Sequence, residues 1–510
     1  MSVTFWQVLV AALLSSTLYV LLLIKRKRKY PFPFPPGPKS LPLIGNLRDV
    51  PFKYQWLTYE KWGREIGSDI IHVELFGSHL VVLNSEKAAN DLLEKRSSIY
   101  SDRPQLKAMT ELLDAGNWVL TLFPYGNRWR VWHKAFYSHL QPIVARQYHP
   151  TELKSARQLL LDLLDTPEDF VQHIRYMVGQ VTLSISYGIV TVSRDDPNIA
   201  LAEAALQGIA VAQIKGRIFN LAPILMHLPW WFPGAGFKKE ANTWKQKIVR
   251  CRDEIYGSVK RTLEGNRAVP SIAASMITGL SEDSNEEAIL MAKALPANLY
   301  LSGIDTTSAA LQSFVLAMVL YPEVQKRAQE EIDLVLGHGH LPDFGDADAL
   351  PYVKAVMHEV LRWSPPGPFG IPHRLTEDDV YNGSSIPSGS LVFANIWAIM
   401  HDPATYKEPS KFKPERFLDP VTPAPLPDTA FGFGRRLCPG RFFARDVMWA
   451  GMASMLATFE FLPATDAAGR PAPPAQEFSH LLASAPIPFK CTIKPRISNL
   501  TETLLAALQD

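Results

Sequence analysis

The sequence FGFGRRLCPG, at residues 431–440, constrains this 510-residue chain most, because it holds one of only three cysteines. Its two glycines allow a tight turn, its two arginines supply cations, and residues 441–457 have the hydrophobic pattern of a helix. We therefore expect backbone N–H groups and the helix dipole to lower the pKa of Cys438 and to hold a thiolate that can ligate iron. A buried structural cysteine is the usual alternative for a lone cysteine, and this context argues against it.

The overall composition is that of a folded protein long enough to bury a large core, with 47% hydrophobic and 20% charged residues. Lys and Arg number 52 against 50 Asp and Glu, so the net charge of +2 provides no general attraction to nucleic acid. Cys251, Cys438 and Cys491 are too few and too scattered for a disulfide framework or a cysteine zinc site, which favours a reducing compartment.

The N-terminus departs from this soluble composition. Residues 4–24 carry no charge and match the ~20 apolar residues that span a bilayer, and KRKRK follows at residues 25–29. Positive charge after the apolar run predicts an uncleaved N-terminal transmembrane helix, with residues 1–29 as membrane anchor and basic stop. The positive-inside rule then predicts a single-pass protein with its main domain in the cytosol, and in a fungal, plant or animal cell the membrane would be that of the endoplasmic reticulum. A buried core helix is the alternative, disfavoured because the segment lacks a polar face.

Residues 30–46 are rich in proline and predict a stiff connector that separates the anchor from one domain over residues 47–510. Long helical patterns dominate this domain and strand-like runs are short, so the expected fold is mainly α with small β-sheets. Residues 220–234 are apolar, aromatic and interrupted by proline, which fits either a buried connection or a second membrane-touching segment.

The stretch FGFGRRLCPG resembles the haem-binding loop of the cytochrome P450 family and matches its F-G-x-G-R-x-C-x-G pattern at every position. The resemblance implies the cytochrome P450 fold, haem b (iron protoporphyrin IX) as cofactor, and Cys438 as the axial ligand of the haem iron. A proximal thiolate favours O–O cleavage, which is the chemistry of haem-thiolate monooxygenases. PPGP, WFPGAGFK and PERF look most like fungal microsomal members of the family, many of which belong to secondary-metabolite pathways.

The segment HEVLR extends the resemblance. Glu359 and Arg362 lie three residues apart on one helix face, which alone is typical of a surface ion pair. Arg362 also stands where a zinc peptidase needs its second histidine, and a guanidinium cannot ligate zinc. In the family this pair is the E-x-x-R core, completed by the arginine of PERF, here Arg416, and the three side chains brace the haem loop.

SGIDTT, at residues 302–307, resembles the oxygen-activating segment of the family's long central helix. The resemblance implies that Thr306 supplies a hydroxyl and Asp305 a proton source beside dioxygen. Adjacent threonines after a glycine are poor helix formers and predict a locally widened helix, and Pro296 predicts a kink. A solvent-facing polar turn is the alternative, and Ser302 departs from the alanine or glycine usual at its position.

The resemblance also implies positions that hold the haem propionates: they are Arg103, Trp129, His133, His373 and Arg436. His133 stands where the family has an arginine, so either His133 or Arg130 serves there, and each of these positions also suits a surface or capping role. The positions implied to face substrate are mostly apolar, and core packing suits them equally well: they are Leu112, Leu113, Leu299, Ser302, Phe369, Ile371 and Leu481.

These features predict a membrane-bound monooxygenase that inserts one atom of dioxygen into a lipophilic small molecule, with a terpenoid secondary-metabolite intermediate as the leading candidate. GFGRRL lacks the third glycine of a dinucleotide fingerprint, so NADPH must act through a separate NADPH-cytochrome P450 reductase, and the resemblance admits cytochrome b5 as an additional donor. Two alternatives stay open: a haem-thiolate isomerase or dehydratase, disfavoured by Asp305 and Thr306, and a haem-binding protein without catalytic activity.

Overall fold

The computed structural model describes residues 30–191, 196–215, 237–498 and 500–509, together with residues 7, 10, 13, 14 and 17. Apart from those five, the apolar segment at residues 4–24 lies outside the described residues, and so does the segment at residues 220–234.

Helices dominate the described chain, as the sequence patterns predict. The α-helices are α1 (Gln55–Ile66), α2 (Glu86–Ala89), α3 (Ser97–Tyr100), α4 (Asn127–Ser138), α5 (Pro142–Ala145), α6 (His149–Asp165), α7 (Phe170–Tyr187), α8 (Pro197–Lys215), α9 (Phe237–Glu264), α10 (Ile272–Thr278), α11 (Glu286–Leu320), α12 (Pro322–Leu336), α13 (Pro351–Trp363), α14 (Ile396–Met400), α15 (Arg441–Thr458) and α16 (Leu500–Gln509).

The strands are short and form small sheets, again as predicted. They are β1 (Ile70–Leu75), β2 (Ser78–Leu83), β3 (His373–Arg374), β4 (Asp379–Tyr381), β5 (Ser384–Ile386), β6 (Leu391–Ala394), β7 (Phe459–Thr465), β8 (Pro471–Ala472) and β9 (Cys491–Pro495). The main sheet has the order β1-β2-β6-β3, with β2 and β6 parallel, and the smaller sheets are β4-β5 and β8-β7-β9. Phe76 and Gly77 both have positive φ (48° and 78°), which gives the β1–β2 hairpin the twist of its strands.

The described residues form two compact units. The first comprises the chain up to Pro104, Phe369–Ile399 and Phe433–Arg436, and it holds the β1-β2-β6-β3 and β4-β5 sheets. The second comprises Gln105–Pro368, Met400–Gly432 and the chain from Leu437, and it holds the long helices and the β8-β7-β9 sheet.

Helix α11 forms the centre of the second unit and packs against α7 and α15. The side chain of Asn285 caps its first turn by accepting a hydrogen bond from the backbone N–H of Ala288 (2.9 Å), and two glutamates follow near the positive helix end. Within the described residues, α11 is the one helix long and apolar enough to cross a membrane, but 78% of its most apolar window is buried inside the fold. It is therefore a core helix.

The proline-rich segment packs onto the first unit instead of standing apart as a spacer. The backbone N–H groups of His72 and Ser385 donate to the carbonyls of Pro36 (2.9 Å) and Pro33 (2.8 Å). A Cβ at Gly37 would lie 1.9 Å from the carbonyl oxygen of His72, so only glycine allows this approach. Proline leaves carbonyls free to accept hydrogen bonds, which is why a stiff segment can still be fastened to a neighbouring strand.

Candidate haem-thiolate site

Cys438 lies in a turn that only glycines permit. The N–H of Cys438 donates to the carbonyl of Phe431 (2.9 Å), which closes the loop. Gly432 and Gly434 both have positive φ, 90° and 56°. A Cβ at Gly434 would lie 2.1 Å from the backbone oxygen of Leu93, which would force the two segments apart. Gly432 and Gly434 therefore allow the backbone conformation that positions the Cys438 thiol.

The thiol of Cys438 is subject to opposing effects. Burial raises its pKa, while a hydrogen bond from the N–H of Gly440 and the charge of Arg441 lower it. Helix α15 begins at Arg441, so the predicted N-terminal helix dipole is present. The expectation of a lowered pKa is nevertheless wrong for the polypeptide alone, because burial outweighs these contributions. Cys251 and Cys491 differ, because nothing lowers the pKa of either thiol and burial raises both to about 12.

Three of the predicted propionate partners, Arg103, His373 and Arg436, lie together in the first unit. Backbone carbonyls hold them: Arg103 donates to Ile371 (2.8 Å) and Pro372 (2.7 Å), Arg436 to Ser101 (2.7 Å), and His373 Nδ1 to Tyr100 (2.8 Å). Because a carbonyl only accepts, the Nδ1 of His373 carries a hydrogen. Its Nε2 can then donate only when the imidazole is protonated.

This cluster is electrostatically unfavourable in the protein alone. Burial, with the charge of Arg436, lowers the pKa of Arg103 to about 9. Burial and both arginines hold the pKa of His373 well below its usual value. Asp102 offsets part of the positive charge, but its carboxylate pairs with Arg374 (3.2 Å). The Nε of Arg103 is buried without a hydrogen-bond partner in the described part of the chain. Buried cations with a spare donor suit an anionic ligand, and the propionate carboxylates of haem meet that requirement.

The other two predicted partners, Trp129 and His133, belong to the second unit and lie one turn apart on α4. Their rings stack with centroids 4.6 Å apart, and His133 also faces Tyr137 at 6.4 Å. Arg130 is exposed, with its guanidinium carbon 5.8 Å from the ring centroid of Tyr125. The half-buried, stacked position of His133 makes it the better placed of the two candidates for an oriented contact.

Glu359, Arg362 and Arg416 form a buried network in the second unit. Arg362 donates to both carboxylate oxygens of Glu359 at 2.8 Å, and Arg416 Nε donates to the same oxygens at 3.1 and 3.2 Å. The surface ion pair that the spacing alone suggests is therefore wrong: the side chains of Glu359 and Arg362 are both 0% exposed. Other guanidinium hydrogens of the two arginines reach backbone carbonyls, which are those of Met400, Lys407, Glu408, Pro409 and Lys411.

Thr306 is exposed on α11, and its Oγ1 donates to the carbonyl of Ser302 (3.0 Å). Ser302 in turn donates to the carbonyl of Asn298 (2.6 Å), so the polar side chains follow one face of the helix. The helix is α-helical without interruption from Glu286 to Leu320, so the predicted local widening is wrong. The hydroxyls of Ser302 and Thr306 each donate to the carbonyl four residues earlier, which is compatible with a regular helix.

Asp305 is joined to two residues that the sequence analysis did not identify. Its Oδ1 accepts a hydrogen bond from Arg175 Nη1 (2.8 Å), and Arg175 also binds both carboxylate oxygens of Glu203 (2.7 and 2.9 Å). Although burial opposes it, contacts with Glu203 and Asp305 raise the pKa of Arg175. The three residues lie on α7, α8 and α11, so no local pattern could have identified them.

The residues predicted to face substrate divide into two groups. Leu113 and Leu299 are buried in the core, and Phe369 stacks on Tyr59 and Phe393 with centroid distances of 5.4 and 4.6 Å. These three side chains pack against core neighbours. Ser302, Ile371 and Leu481 are exposed, and the side chain of Leu112 lies outside the described part of the structure.

Asn298, one turn before Ser302 on α11, has its amide fully engaged. Its Oδ1 accepts from the N–H of Leu120 (2.9 Å), and its Nδ2 donates to the carbonyls of Trp118 (2.9 Å) and Ala294 (2.8 Å). It therefore fastens the loop before α4 to α11.

Comparison with known proteins gives consistent matches along the chain. The family model described as Cytochrome P450 matches residues 35–491. A cytochrome P450 monooxygenase of Rhodocybe pseudopiperita is 39% identical, over 92% of this chain and 91% of its own length. One of Hericium erinaceus is 41% identical, over 92% and 90%. Tryptamine 4-monooxygenase of Psilocybe cyanescens is 36% identical, over 92% and 94%.

We predict that Glu359→Gln destabilises the protein severely. The change keeps the size of the side chain but leaves two buried guanidinium groups without their carboxylate, and breaking a buried ion pair costs about 3–5 kcal/mol. The measurement is the midpoint of thermal unfolding, followed by circular dichroism. The control is Glu65→Gln, whose carboxylate is 57% exposed and 3.7 Å from Lys61, and which should leave the midpoint unchanged. Equal midpoints for the two variants would contradict the proposed bracing role.

Proposed function

Because this chain belongs to the cytochrome P450 family, we propose that it is a membrane-anchored monooxygenase of fungal secondary metabolism that oxidises a lipophilic small molecule. Enzymes of this family carry haem iron and receive electrons from NADPH through a reductase, and this chain is a haem-thiolate monooxygenase. The observation that carries the proposal is the loop around Cys438, whose thiol alone among the three has an N–H donor and a cation that favour its thiolate. Cytochrome b5 is proposed as an additional electron donor.

The residues proposed to hold haem would either ligate its iron or bind its propionates. Cys438 would ligate the haem iron, and Arg103, Arg436, Trp129 and His133 would bind the propionates. His373 would do so as an imidazolium, because its Nδ1–H already donates to Tyr100. The buried positive charge around Arg103 supports this assignment, because two carboxylates would compensate it. Bound haem supplies the activation of dioxygen, which ligation by a thiolate favours.

Asp305 and Thr306 are proposed to deliver protons. The hydrogen bond from Arg175 holds the Asp305 carboxylate in place, so this contact must loosen before the bonded oxygen can exchange a proton with a ligand. The hydroxyl of Thr306 must likewise leave the carbonyl of Ser302 to donate to a bound ligand, at the cost of one hydrogen bond of about 1 kcal/mol.

We predict that Thr306→Ala retains haem and substrate binding but diverts NADPH electrons to hydrogen peroxide, because only the proton-delivering hydroxyl is removed. Product, peroxide and NADPH consumption are measured together in a reconstituted system with reductase. An unchanged ratio of product to NADPH would contradict the role.

Cys438→Ser is the contrasting variant for the same measurements. The reduced wild type and Thr306→Ala should both show the red-shifted Soret band of a carbon monoxide complex with thiolate-bound haem, and Cys438→Ser should not. A normal band in Cys438→Ser would move the ligand to Cys251 or Cys491.

We propose that residues 1–29 anchor the protein in the endoplasmic reticulum membrane, with the catalytic domain in the cytosol. Support comes from the apolar run at residues 4–24 and the basic cluster at residues 25–29. Residues 30–46 would form the connector, and residues 47–510 the monooxygenase domain. The contacts of Pro33 and Pro36 with the first unit imply that the connector also stabilises this domain.

Deletion of residues 1–29 should release most of the protein from the membrane fraction and keep the carbon monoxide spectrum. Deletion of residues 1–46 should release it equally but lower the midpoint of thermal unfolding, because the hydrogen bonds made by the carbonyls of Pro33 and Pro36 are lost. Residual membrane binding of both forms would implicate residues 220–234. Loss of the spectrum in the shorter deletion would contradict the division into anchor and domain.

The substrate is proposed to be lipophilic, with a terpenoid intermediate as the leading candidate. Ile371 and Leu481 are exposed and apolar, and Ser302 is the one hydroxyl among the positions implied to face substrate. Burial of an unpaired charge against such residues is unfavourable. The name of the Psilocybe cyanescens relative indicates tryptamine as its substrate, which makes an aromatic amine the class to test against.

We expect a cyclic terpene and its hydroxylated derivative to bind more tightly than a carboxylated analogue or tryptamine. Binding is followed by the spin-state change that accompanies displacement of water from haem. Ser302→Ala should weaken only the hydroxylated terpene, by ~3- to 10-fold for one hydrogen bond. Tightest binding by tryptamine or by the carboxylate would contradict the terpenoid assignment.

A further inference from the structure

Three potential metal ligands meet in the second unit, on helices that the proposed function does not use for catalysis. His149 and Glu152 lie one turn apart at the start of α6, and Asp446 lies on α15. One ligand atom from each lies within 4.8 Å of the other two, and His149 Nε2 is 3.4 Å from Asp446 Oδ2.

Glu152 distinguishes this group from an ordinary acidic patch. Its side chain is 0% exposed, and neither of its carboxylate oxygens has a hydrogen-bond partner in the described part of the chain. Both oxygens are therefore buried without compensation, although a buried carboxylate requires a donor, a proton or a cation. The oxygens lie beside two other groups that can ligate a cation.

The pKa shifts of Glu152 and Asp446 also indicate buried carboxylates whose negative charge is not fully balanced. Burial, reinforced by Asp446, raises the pKa of Glu152 well above its usual value. Burial also raises the pKa of Asp446, against the effect of His149, Arg146 and Arg445. Either a proton or a metal ion would neutralise part of the negative charge of the buried Glu152 and Asp446 carboxylates.

Neighbouring side chains orient the ring of His149, and the positive charge nearby is already partly balanced by another carboxylate. Its ring stacks on Phe344 with centroids 3.6 Å apart, and Phe344 packs against Trp449. Of the nearby arginines, Arg445 donates to Asp428, so its charge is already partly balanced. An imidazole held by stacking has less freedom to lose on binding a metal.

We propose that His149, Glu152 and Asp446 form a binding site for a divalent transition metal ion, separate from haem. One imidazole and two carboxylates are ligands that Zn²⁺ accepts, and open positions would be completed by water. Ligands about 2.1 Å from a tetrahedral ion lie about 3.4 Å apart, so the three side chains need only a small inward movement. The ion would fasten α6 to α15, the helix that begins three residues after Cys438.

The test uses the full-length haem-loaded protein, purified with a peptide tag free of histidine and cysteine and dialysed against EDTA. Zn²⁺ binding is measured by titration calorimetry, and zinc and iron are counted together by elemental analysis. The expected result is one Zn²⁺ per chain in addition to haem iron, and a higher midpoint of thermal unfolding with Zn²⁺.

Glu152→Gln and His149→Gln should each weaken Zn²⁺ binding by about tenfold or more. The matched control is Asp162→Asn, which makes the same chemical change on the same helix, where Asp162 accepts a hydrogen bond from Gln158 (3.0 Å). It should bind Zn²⁺ as the wild type does. If Glu152→Gln does not fold, His149→Gln, whose side chain is partly exposed, gives the same comparison.

Two results would overturn the proposal. One is wild-type Zn²⁺ affinity equal to that of Glu152→Gln or His149→Gln. The other is a wild-type thermal midpoint that does not respond to Zn²⁺ while Glu152→Gln has a higher midpoint than the wild type, since removing a buried acid stabilises a protein whose site holds only a proton.

Discussion

The carboxylate of Glu359, buried between Arg362 and Arg416, is the interaction on which the second unit most depends. One negative charge satisfies two guanidinium groups, and the remaining donors of both arginines bind carbonyls between residues 400 and 411. That segment has little regular structure, so its backbone conformation depends on these charged donors. Removing the carboxylate would leave two buried cations, an arrangement far more costly than losing one hydrogen bond.

Each site described above buries charged groups at a cost in desolvation energy. The sites offset that cost in different ways. The E-x-x-R network compensates internally, with opposite charges from helix α13 and the PERF segment. The cluster around Arg103 has an excess of positive charge that suits the propionates of haem. Glu152 and Asp446 have the opposite excess, which is the basis for the proposed metal site. Uncompensated buried charge is thus a guide to ligands that the polypeptide needs.

Much of the architecture was predictable because hydrophobic periodicity is local. Long hydrophobic patterns predict the mainly helical class, and the pattern at residues 441–457 predicts α15 (Arg441–Thr458) to within a residue. The predicted pocket residues depend on more than a local pattern. An apolar side chain such as Leu299 suits a pocket and a core equally, and only its neighbours decide between them. The widened helix at Thr306 failed for a related reason, since tertiary packing of α11 overrides a weak local propensity.

By itself, the sequence determined the helical class, the thiol loop around Cys438 and the resemblance that implies haem, because each of these depends on residues close together in the chain. Tertiary structure alone decided the burial of Glu359 with Arg416, the Arg175 ion pair of Asp305, and the meeting of His149 with Asp446. These pairs are separated by 57, 130 and 297 positions. Desolvation and Coulomb energies depend on distance in space and on burial, and neither quantity exists until the helices have packed.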